Sequence, residues 1–275
     1  MNLDQLKIRE IVTRSYIHPS KLPGYDYVIN PYVGCPHRCI YCYAEFMKRF
    51  SGHDDPWGTF TDVKIRSTAV RPIPLQGASI FLSSVTDCYN PLEEKYRLTR
   101  KLLEQLRYSG ARLTILTKSA LVTRDIDVLK TIPDITVGLS MNTELDSFRR
   151  EIEPEAASVL ERLDTLKTLH KNGIKTWLHM APIFPVLTDW KALLEAARPY
   201  VDSFSFENLK LRGAGLPRVM LYITQKHREL KPLYQQIYEE KDMTYWRNLR
   251  REILAFCNQY KLSAAVYFSD QTAEE

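Results

Sequence analysis

Three of the five cysteines lie close together, and their spacing predicts a metal centre. Cys35, Cys39 and Cys42 follow the pattern Cys-x3-Cys-x2-Cys. A structural zinc ion normally takes four protein ligands, commonly from two separated pairs, and the sequence has no second pair. His37 is a possible fourth ligand, but its place between two of the cysteines would strain a tetrahedral site. A tetranuclear iron–sulfur cluster normally takes four thiolates, so three leave its fourth iron open. The pattern favours such a cluster, with zinc as the weaker alternative.

The residues around these cysteines and the cysteine count fit that interpretation. Gly34 and Pro36 suit a backbone that folds tightly around a cluster and leaves amides free to donate to its sulfurs. Cys88 and Cys257 stand alone. An odd number of cysteines, in a chain that starts MNLDQLKIREIV without an apolar signal core, argues against a disulfide framework. We therefore expect a reducing compartment and a cytoplasmic location.

Composition predicts a folded domain without a membrane span. The 275 residues are 44% hydrophobic and 26% charged, which excludes a disordered chain. No stretch approaches about 18 uninterrupted apolar residues, the length needed to cross a bilayer. The net charge of +5, from 38 basic and 33 acidic side chains, permits contact with phosphate but is too small to argue for it.

Short apolar segments alternate with amphipathic helices from residue 79 onward, which predicts βα units. Leucine stripes at helical spacing mark helices that begin near Leu98, Val159 and Trp190. Gly110 and Gly173 follow two of these helices, where a left-handed cap is expected. The predicted strands are 79–85, 112–117, 135–140, 175–181 and 202–206.

The ends of this pattern complete the predicted architecture. Asn90 is interpreted as a helix N-cap, with Pro91 at the first helical position and Glu93 as the capping-box acid. The segment 209–261 is predicted to be helical and 264–268 to be a last strand. The expected fold is α/β: a partial (βα)6 barrel of the TIM type. An N-terminal extension (1–24) precedes the core (25–212), and a helical C-terminal segment (213–275) packs on it.

The block around the cysteines, NPYVGCPHRCIYCYA at 30–44, resembles a known family signature. It is similar to the signature of the radical S-adenosylmethionine (radical SAM) superfamily, and the wider block resembles the spore photoproduct lyase-like branch. Further segments resemble that branch, and each follows a predicted strand, where a barrel presents its site residues. They are SSVTDCYNPLE at 83–93, LTKS at 116–119, GLSMNT at 138–143 and MAPI at 180–183.

The resemblance implies that a [4Fe-4S] cluster on the three cysteines binds SAM and cleaves it to a 5′-deoxyadenosyl radical. It places Tyr41 and Tyr43 near the cofactor. Thr86 and Asp87 would bind the methionine end of SAM, although Asp87 is alternatively a cap of the turn that follows. Lys118 would face the SAM carboxylate or ribose, and Ser140 the ribose or methionine end.

The resemblance also contains a departure. The spore lyase has a cysteine in the second motif as hydrogen donor to the substrate radical, and Ser84 occupies the matching position here. A hydroxyl O–H bond is too strong for that role, so the resemblance does not imply photoproduct repair for this chain. We still expect Ser84 to lie in the cofactor site. Cys88 either takes over the donor role or is a buried bystander, and we expect it to point away from the substrate.

The sequence therefore predicts a radical SAM enzyme whose substrate is unknown, with nucleic acid or a nucleotide possible. Its expected partners are SAM and an electron donor such as flavodoxin or ferredoxin, and we expect a monomer. Asn142, Glu207 and Asn208 are further residues at the predicted mouth of the barrel. The alternative is a nucleic-acid-binding repair or regulatory protein with a structural or redox-sensing cluster.

Overall fold

Strand pairing organises the chain into two sheets. The computed structural model describes residues 6–65, 75–211 and 215–268, and the described part contains eleven strands. They are β1 (Lys7–Val12), β2 (Ile17–Pro19), β3 (Tyr27–Ile29), β4 (Tyr32–Val33), β5 (Phe60–Ile65), β6 (Ser79–Leu82), β7 (Arg112–Thr117), β8 (Ile135–Met141), β9 (Lys175–Ile183), β10 (Ser203–Asn208) and β11 (Ala264–Tyr267).

The larger sheet has the order β2-β3-β6-β7-β8-β9-β10-β11. All of its neighbouring strands pair in parallel except β2, which pairs antiparallel with β3. β2 and β11 do not pair with each other and form the two edges of the sheet, so the barrel is open and partial. This confirms the predicted fold class. A second, three-stranded sheet has the order β1-β5-β4.

The helices follow the strands as the leucine stripes predict. They are α1 (Glu93–Tyr96), α2 (Leu98–Leu106), α3 (Ile126–Leu129), α4 (Asp146–Ile152), α5 (Val159–Lys171), α6 (Trp190–Ala197), α7 (Gly215–Lys226), α8 (Lys231–Tyr238) and α9 (Thr244–Gln259). Short 3-10 helices include Tyr43–Phe50, directly after the cysteines, and Ala120–Asp125. The predicted helical segment near the C-terminus corresponds to α7, α8 and α9.

The two faces of the larger sheet have different surroundings. On β8, Val137 and Leu139 are fully buried in one core cluster with Leu166 and Leu169 of α5. Alternate residues of a strand point to opposite faces, so Gly138 and Ser140 lie on the inner face of the barrel. The helices thus cover the outer face, and polar residues on the inner face are available for a site.

Local signals explain where α5 begins and where β7 follows α2. The Ser158 hydroxyl accepts from the Glu161 amide, and the Glu161 carboxylate accepts from the Ser158 amide at 2.7 Å, which is a capping box. Gly110, before β7, has a φ of +69°, and Gly173, before β9, has a φ of +73°. Both values confirm the predicted left-handed caps.

The predicted cap at Asn90 is wrong in detail. The Asn90 carboxamide oxygen accepts from the Leu92 amide at 3.0 Å and forms a turn, and α1 begins only at Glu93. Glu93 caps α2 instead of its own helix α1, because its carboxylate accepts from the Thr99 amide in the first turn of α2. The left-handed Arg97 between α1 and α2 makes this arrangement possible, since it separates the two helices.

The division into extension, core and C-terminal segment stays a prediction, and its boundary at 212/213 lies outside the described residues. β1 pairs with β5 and β2 with β3, so both strands of the predicted extension join sheets formed with later residues. Within the described ranges, no helix is both long and apolar enough to cross a membrane.

Candidate cluster and cofactor site

The three clustered cysteines occupy a loop between β4 and the 3-10 helix Tyr43–Phe50. Gly34 begins the loop with a φ of +92°, and a Cβ there would lie 2.4 Å from the Phe60 carbonyl oxygen, so only glycine fits. The Cys42 amide donates to the Cys39 carbonyl at 3.1 Å, which tightens the turn between these two cysteines.

The three clustered cysteines are partly buried, and an indole donor faces one of them. Burial raises the pKa of Cys35 and of Cys42, and burial together with Glu153 raises the pKa of Cys39 to about 12. The Trp57 indole N–H donates to the Cys42 sulfur at 3.3 Å. Negative charge on these sulfurs therefore requires a compensating cation, which a bound cluster supplies.

A buried ionic network lies beside the loop. Glu153, fully buried, accepts from Arg162 Nη2 at 2.6 Å, from the Tyr41 hydroxyl and from Asn142 Nδ2 at 3.1 Å. Lys118 Nζ lies 3.9 Å from the same carboxylate. Burial alone would lower the pKa of Lys118, but Glu153, Cys39 and Asp87 together outweigh it and raise the pKa, so the ammonium stays charged.

Asp87 joins the end of β6 to the end of β7. One carboxylate oxygen accepts from the Tyr89 amide at 2.9 Å and the Thr117 hydroxyl at 2.7 Å. The other accepts from the Lys118 amide at 2.8 Å and lies 3.4 Å from His37 Nδ1. The contact with Tyr89 is the turn-capping arrangement that the sequence left open as the alternative to a SAM contact. The His37 ring is directed at this carboxylate.

The loop after β6 is fastened to the cysteine loop. The Asn30 side chain donates to the Ser84 hydroxyl at 2.8 Å and accepts from the Val85 amide at 3.0 Å. The Thr86 hydroxyl donates to the Gly34 carbonyl at 2.7 Å. The Tyr43 hydroxyl donates to the Ser84 carbonyl, although 60% of the surface of Tyr43 is exposed. These contacts fix the segment 84–86 against the start of the cluster loop.

The remaining predicted residues differ in their exposure. Ser140 is buried and donates to the Ala181 carbonyl at 3.1 Å. Lys118, which follows β7, keeps 19% of its side chain exposed. Cys88 is fully buried in the core, where its amide donates to the Ser83 hydroxyl at 2.8 Å and its carbonyl accepts from Thr99.

Several residues of this site carry no signal in the sequence that marks them as functional. Glu153 and Arg162 lie in the region of α4 and α5, where charged residues usually face solvent. Trp57 lies in a segment without periodicity, and Asn30 stands out only as part of the block 30–44. His179, on β9, was not singled out either.

The cysteine loop thus lies at the carboxyl ends of the parallel strands, together with Lys118 and the polar residues of the strand ends. Comparison with known proteins identifies the family. The profile of the radical SAM superfamily matches residues 29–197. The chain belongs to the radical SAM superfamily. That match covers the cysteine loop and the strands from β4 to β9, and it shows that the protein is an enzyme of this superfamily.

Individual relatives agree with this assignment. An uncharacterised protein of Methanocaldococcus jannaschii is 36% identical over 237 residues, 86% of this chain and 85% of the relative. A radical SAM Nalpha-GlyT isomerase of Pseudomonas phage M6 is 25% identical over 171 residues, 57% of this chain and 33% of the relative.

Solved structures share the fold. A spore photoproduct lyase variant with bound S-adenosylmethionine and dinucleoside spore photoproduct matches with a TM-score of 0.65. It is 16% identical, and the match covers 95% of this chain and 82% of that one. SuiB of Streptococcus suis, bound to S-adenosylmethionine, matches with a TM-score of 0.55 and 14% identity over 88% of this chain and 49% of that one.

The residues present fit the cluster that the superfamily implies. Three partly buried thiols and an N–H donor to sulfur form a donor set of the kind that holds iron–sulfur clusters. A site for a single metal ion is a different arrangement: within the described residues, no three histidine, cysteine or acidic side chains lie close enough together to hold one ion.

Proposed function

We propose that the protein is a radical SAM enzyme that binds a [4Fe-4S] cluster through Cys35, Cys39 and Cys42 and abstracts hydrogen from a nucleic acid or nucleotide substrate. When bound, the cluster and SAM supply the reductive cleavage that yields the 5′-deoxyadenosyl radical. The observation that carries the proposal is the convergence of three partly buried thiols with a charged lysine at the carboxyl ends of the parallel strands.

The charge and position of Lys118 support a role in binding SAM. Its ammonium is held charged by Glu153, Cys39 and Asp87 together, and the part of the side chain that stays exposed can pair with the SAM carboxylate. Tyr43 presents a largely exposed ring next to Cys42, which suits packing on the adenosyl group. The hydroxyls of Thr86 and Ser140 keep acceptor capacity for the same ligand.

Other predicted residues are better suited to positioning. Both oxygens of Asp87 already take bonds from the chain, so we assign it to holding His37 and the Lys118 backbone in place. Ser84 holds Tyr43 through its carbonyl, and Tyr41 fastens the cysteine loop to Glu153.

The substrate class and the setting complete the proposal. The fold likeness to a lyase bound to a dinucleoside photoproduct supports a nucleic acid or nucleotide. We further propose that the protein is a monomer that consists of the extension, the core and the helical segment, and that it works in a reducing cytoplasm. Its cluster would receive electrons from a protein such as flavodoxin or ferredoxin. A merely structural or redox-sensing cluster is disfavoured, because superfamily membership indicates an enzyme.

Anaerobic reconstitution tests the cluster. We expect about four irons and four sulfides per chain, and alanine at any one of the three cysteines should abolish stable incorporation. Cys257→Ala is the matched control, because that cysteine is buried in α9, away from the loop. Stoichiometric zinc without iron uptake would contradict the proposal.

A further inference from the structure

A second polar cluster lies on the inner face of β9 and β10. His179 pairs in register with Ser140 of β8 on one side and with Ser205 of β10 on the other. Glu207 lies two residues beyond Ser205 and therefore on the same face. Lys118, one residue after Thr117, extends this row on β7, because Thr117 pairs with Leu139. His179 is thus roughly 10 Å from Lys118, the width of two strand spacings.

Both ring nitrogens of His179 face a polar partner. The Trp177 indole N–H lies 2.6 Å from the Ser205 oxygen and can only donate, so that oxygen accepts. The Ser205 hydroxyl, 2.7 Å from His179 Nδ1, keeps its own proton to donate to that nitrogen. When Nδ1 accepts this bond, the ring proton is on Nε2, the nitrogen that faces Glu207 Oε2 at 3.7 Å.

Glu207 is a charged acceptor at the same place. Lys210 Nζ lies 2.5 Å from its other oxygen. Burial alone would raise the pKa of Glu207, but His179 and Lys210 outweigh it and hold the pKa at about 2. The carboxylate of Glu207 and the ammonium of Lys210 offset each other, so the cluster suits a neutral ligand better than a phosphate.

The cluster faces inward but is still accessible. Glu207 keeps 35% of its side chain exposed and His179 keeps 14%. Trp177 fills the space next to Gly138, where a Cβ would lie 2.6 Å from its ring, and so closes the inner face one layer below His179. The exposed parts of His179 and Glu207 therefore present Nε2 and the carboxylate side by side, 3.7 Å apart.

We propose that His179 and Glu207 bind a nucleobase of the substrate, with Nε2–H donating to a base acceptor and the carboxylate accepting from the adjacent base N–H. This inference rests on the proposed function and names its substrate-binding residues. A base presents a donor and an acceptor side by side on one edge. A trans peptide directs its N–H and C=O to opposite sides and offers only one of them here.

Oligonucleotide binding to the reconstituted, SAM-saturated protein without reductant tests the proposal. The probes are single-stranded homo-oligomers of each of the four bases and an abasic oligomer of equal length. We expect at least one base-containing probe to bind more tightly than the abasic one, and Glu207→Gln to weaken that binding about tenfold or more. The control Glu151→Gln, at a surface pair with Lys226, should leave binding unchanged.

The other outcomes are equally definite. If no base-containing probe binds better than the abasic one, or if Glu207→Gln binds all probes as the wild type does, the proposal is wrong. An equal loss of SAM affinity in Glu207→Gln would assign the cluster to the adenine of SAM, and tighter binding of a glutamine-containing peptide would assign it to a side-chain amide. Iron content tests the proposed function, and the effect of Glu207→Gln on oligonucleotide binding tests this inference. If the protein takes up no iron but its binding still depends on Glu207, the proposed function fails and this inference stands.

Discussion

Replacing Arg162 by methionine should strongly destabilise the protein, because its guanidinium compensates a carboxylate that has no access to water. Arg162 and Glu153 are separated by 2.6 Å, with 1% and 0% of their side chains exposed. Breaking such a buried pair from one side costs about 3–5 kcal/mol. Arg162 also donates to the carbonyls of Ser140 and Ala157, each at 2.8 Å. Lys118 retains part of the compensation, so we expect a loss of about 4 kcal/mol in the free energy of unfolding.

Urea unfolding of the metal-free protein at pH 7 measures this loss. Arg150→Met is the control, because its exposed pair with Asp146 at 3.6 Å should contribute less than about 1 kcal/mol. The double variant Glu153→Gln/Arg162→Met should be more stable than Arg162→Met alone, since no carboxylate is left uncompensated. A loss below about 1 kcal/mol in Arg162→Met would refute this account of the network.

The same network predicts a pH dependence. Burial alone would raise the pKa of Glu153, but Arg162 and Lys118 outweigh it and hold the pKa below the ordinary value of 4.5. Because the folded pKa lies below the unfolded one, the stabilisation is present above about pH 4.5 and is lost as the pH falls from there through the folded pKa. In Arg162→Met the pKa of Glu153 should rise, so acid should cost this variant less stability than it costs the wild type.

Three further predictions concern the cofactor site. Lys118→Ala should keep its iron but bind SAM about 1–3 kcal/mol more weakly by calorimetry, and unchanged affinity would remove Lys118 from the cofactor site. Trp57→Phe removes the N–H donor to Cys42 and should make the reduced cluster about tenfold less favourable, a shift of about 59 mV to lower potential in an EPR-monitored titration. Equal potentials would show that this hydrogen bond is absent in the loaded protein. Cys88→Ala should retain SAM cleavage and product formation, because Cys88 is fully buried; cleavage without product would make Cys88 the hydrogen donor.

The repeating part of the fold was predictable because its signals are local. The strand 112–117 is observed with those bounds, and 135–140 extends by one residue to Met141. Leucine stripes predicted α2, α5 and α6 because one face of each must cover the sheet. β1 to β5 were missed. β2, β3 and β4 have only two or three residues each, and the partners of β1 are distant, since Lys7 pairs with Phe60 of β5.

The site was predictable only where residue type alone determines chemistry. Three cysteines at this spacing indicate a cluster whatever fold surrounds them. Glu153 and Arg162 gave no such signal, because the same residues on an exposed helix would be ordinary surface charges. His179 and Ser205 acquire their meaning from strand register, which a single sequence does not specify.

The cysteine loop depends on a residue made much later in synthesis. Arg218 of α7 donates to the Ile40 carbonyl at 3.0 Å and pairs with Glu45 at 2.7 Å, across a separation of 178 residues from Ile40. At 5–20 residues per second, the ribosome needs roughly 10 to 35 s to make that interval. Throughout this time the nascent chain carries its thiols without this contact from α7, one of several that fasten the loop. Cluster delivery in the cell must therefore either wait for α7 or protect a loop that is still incomplete.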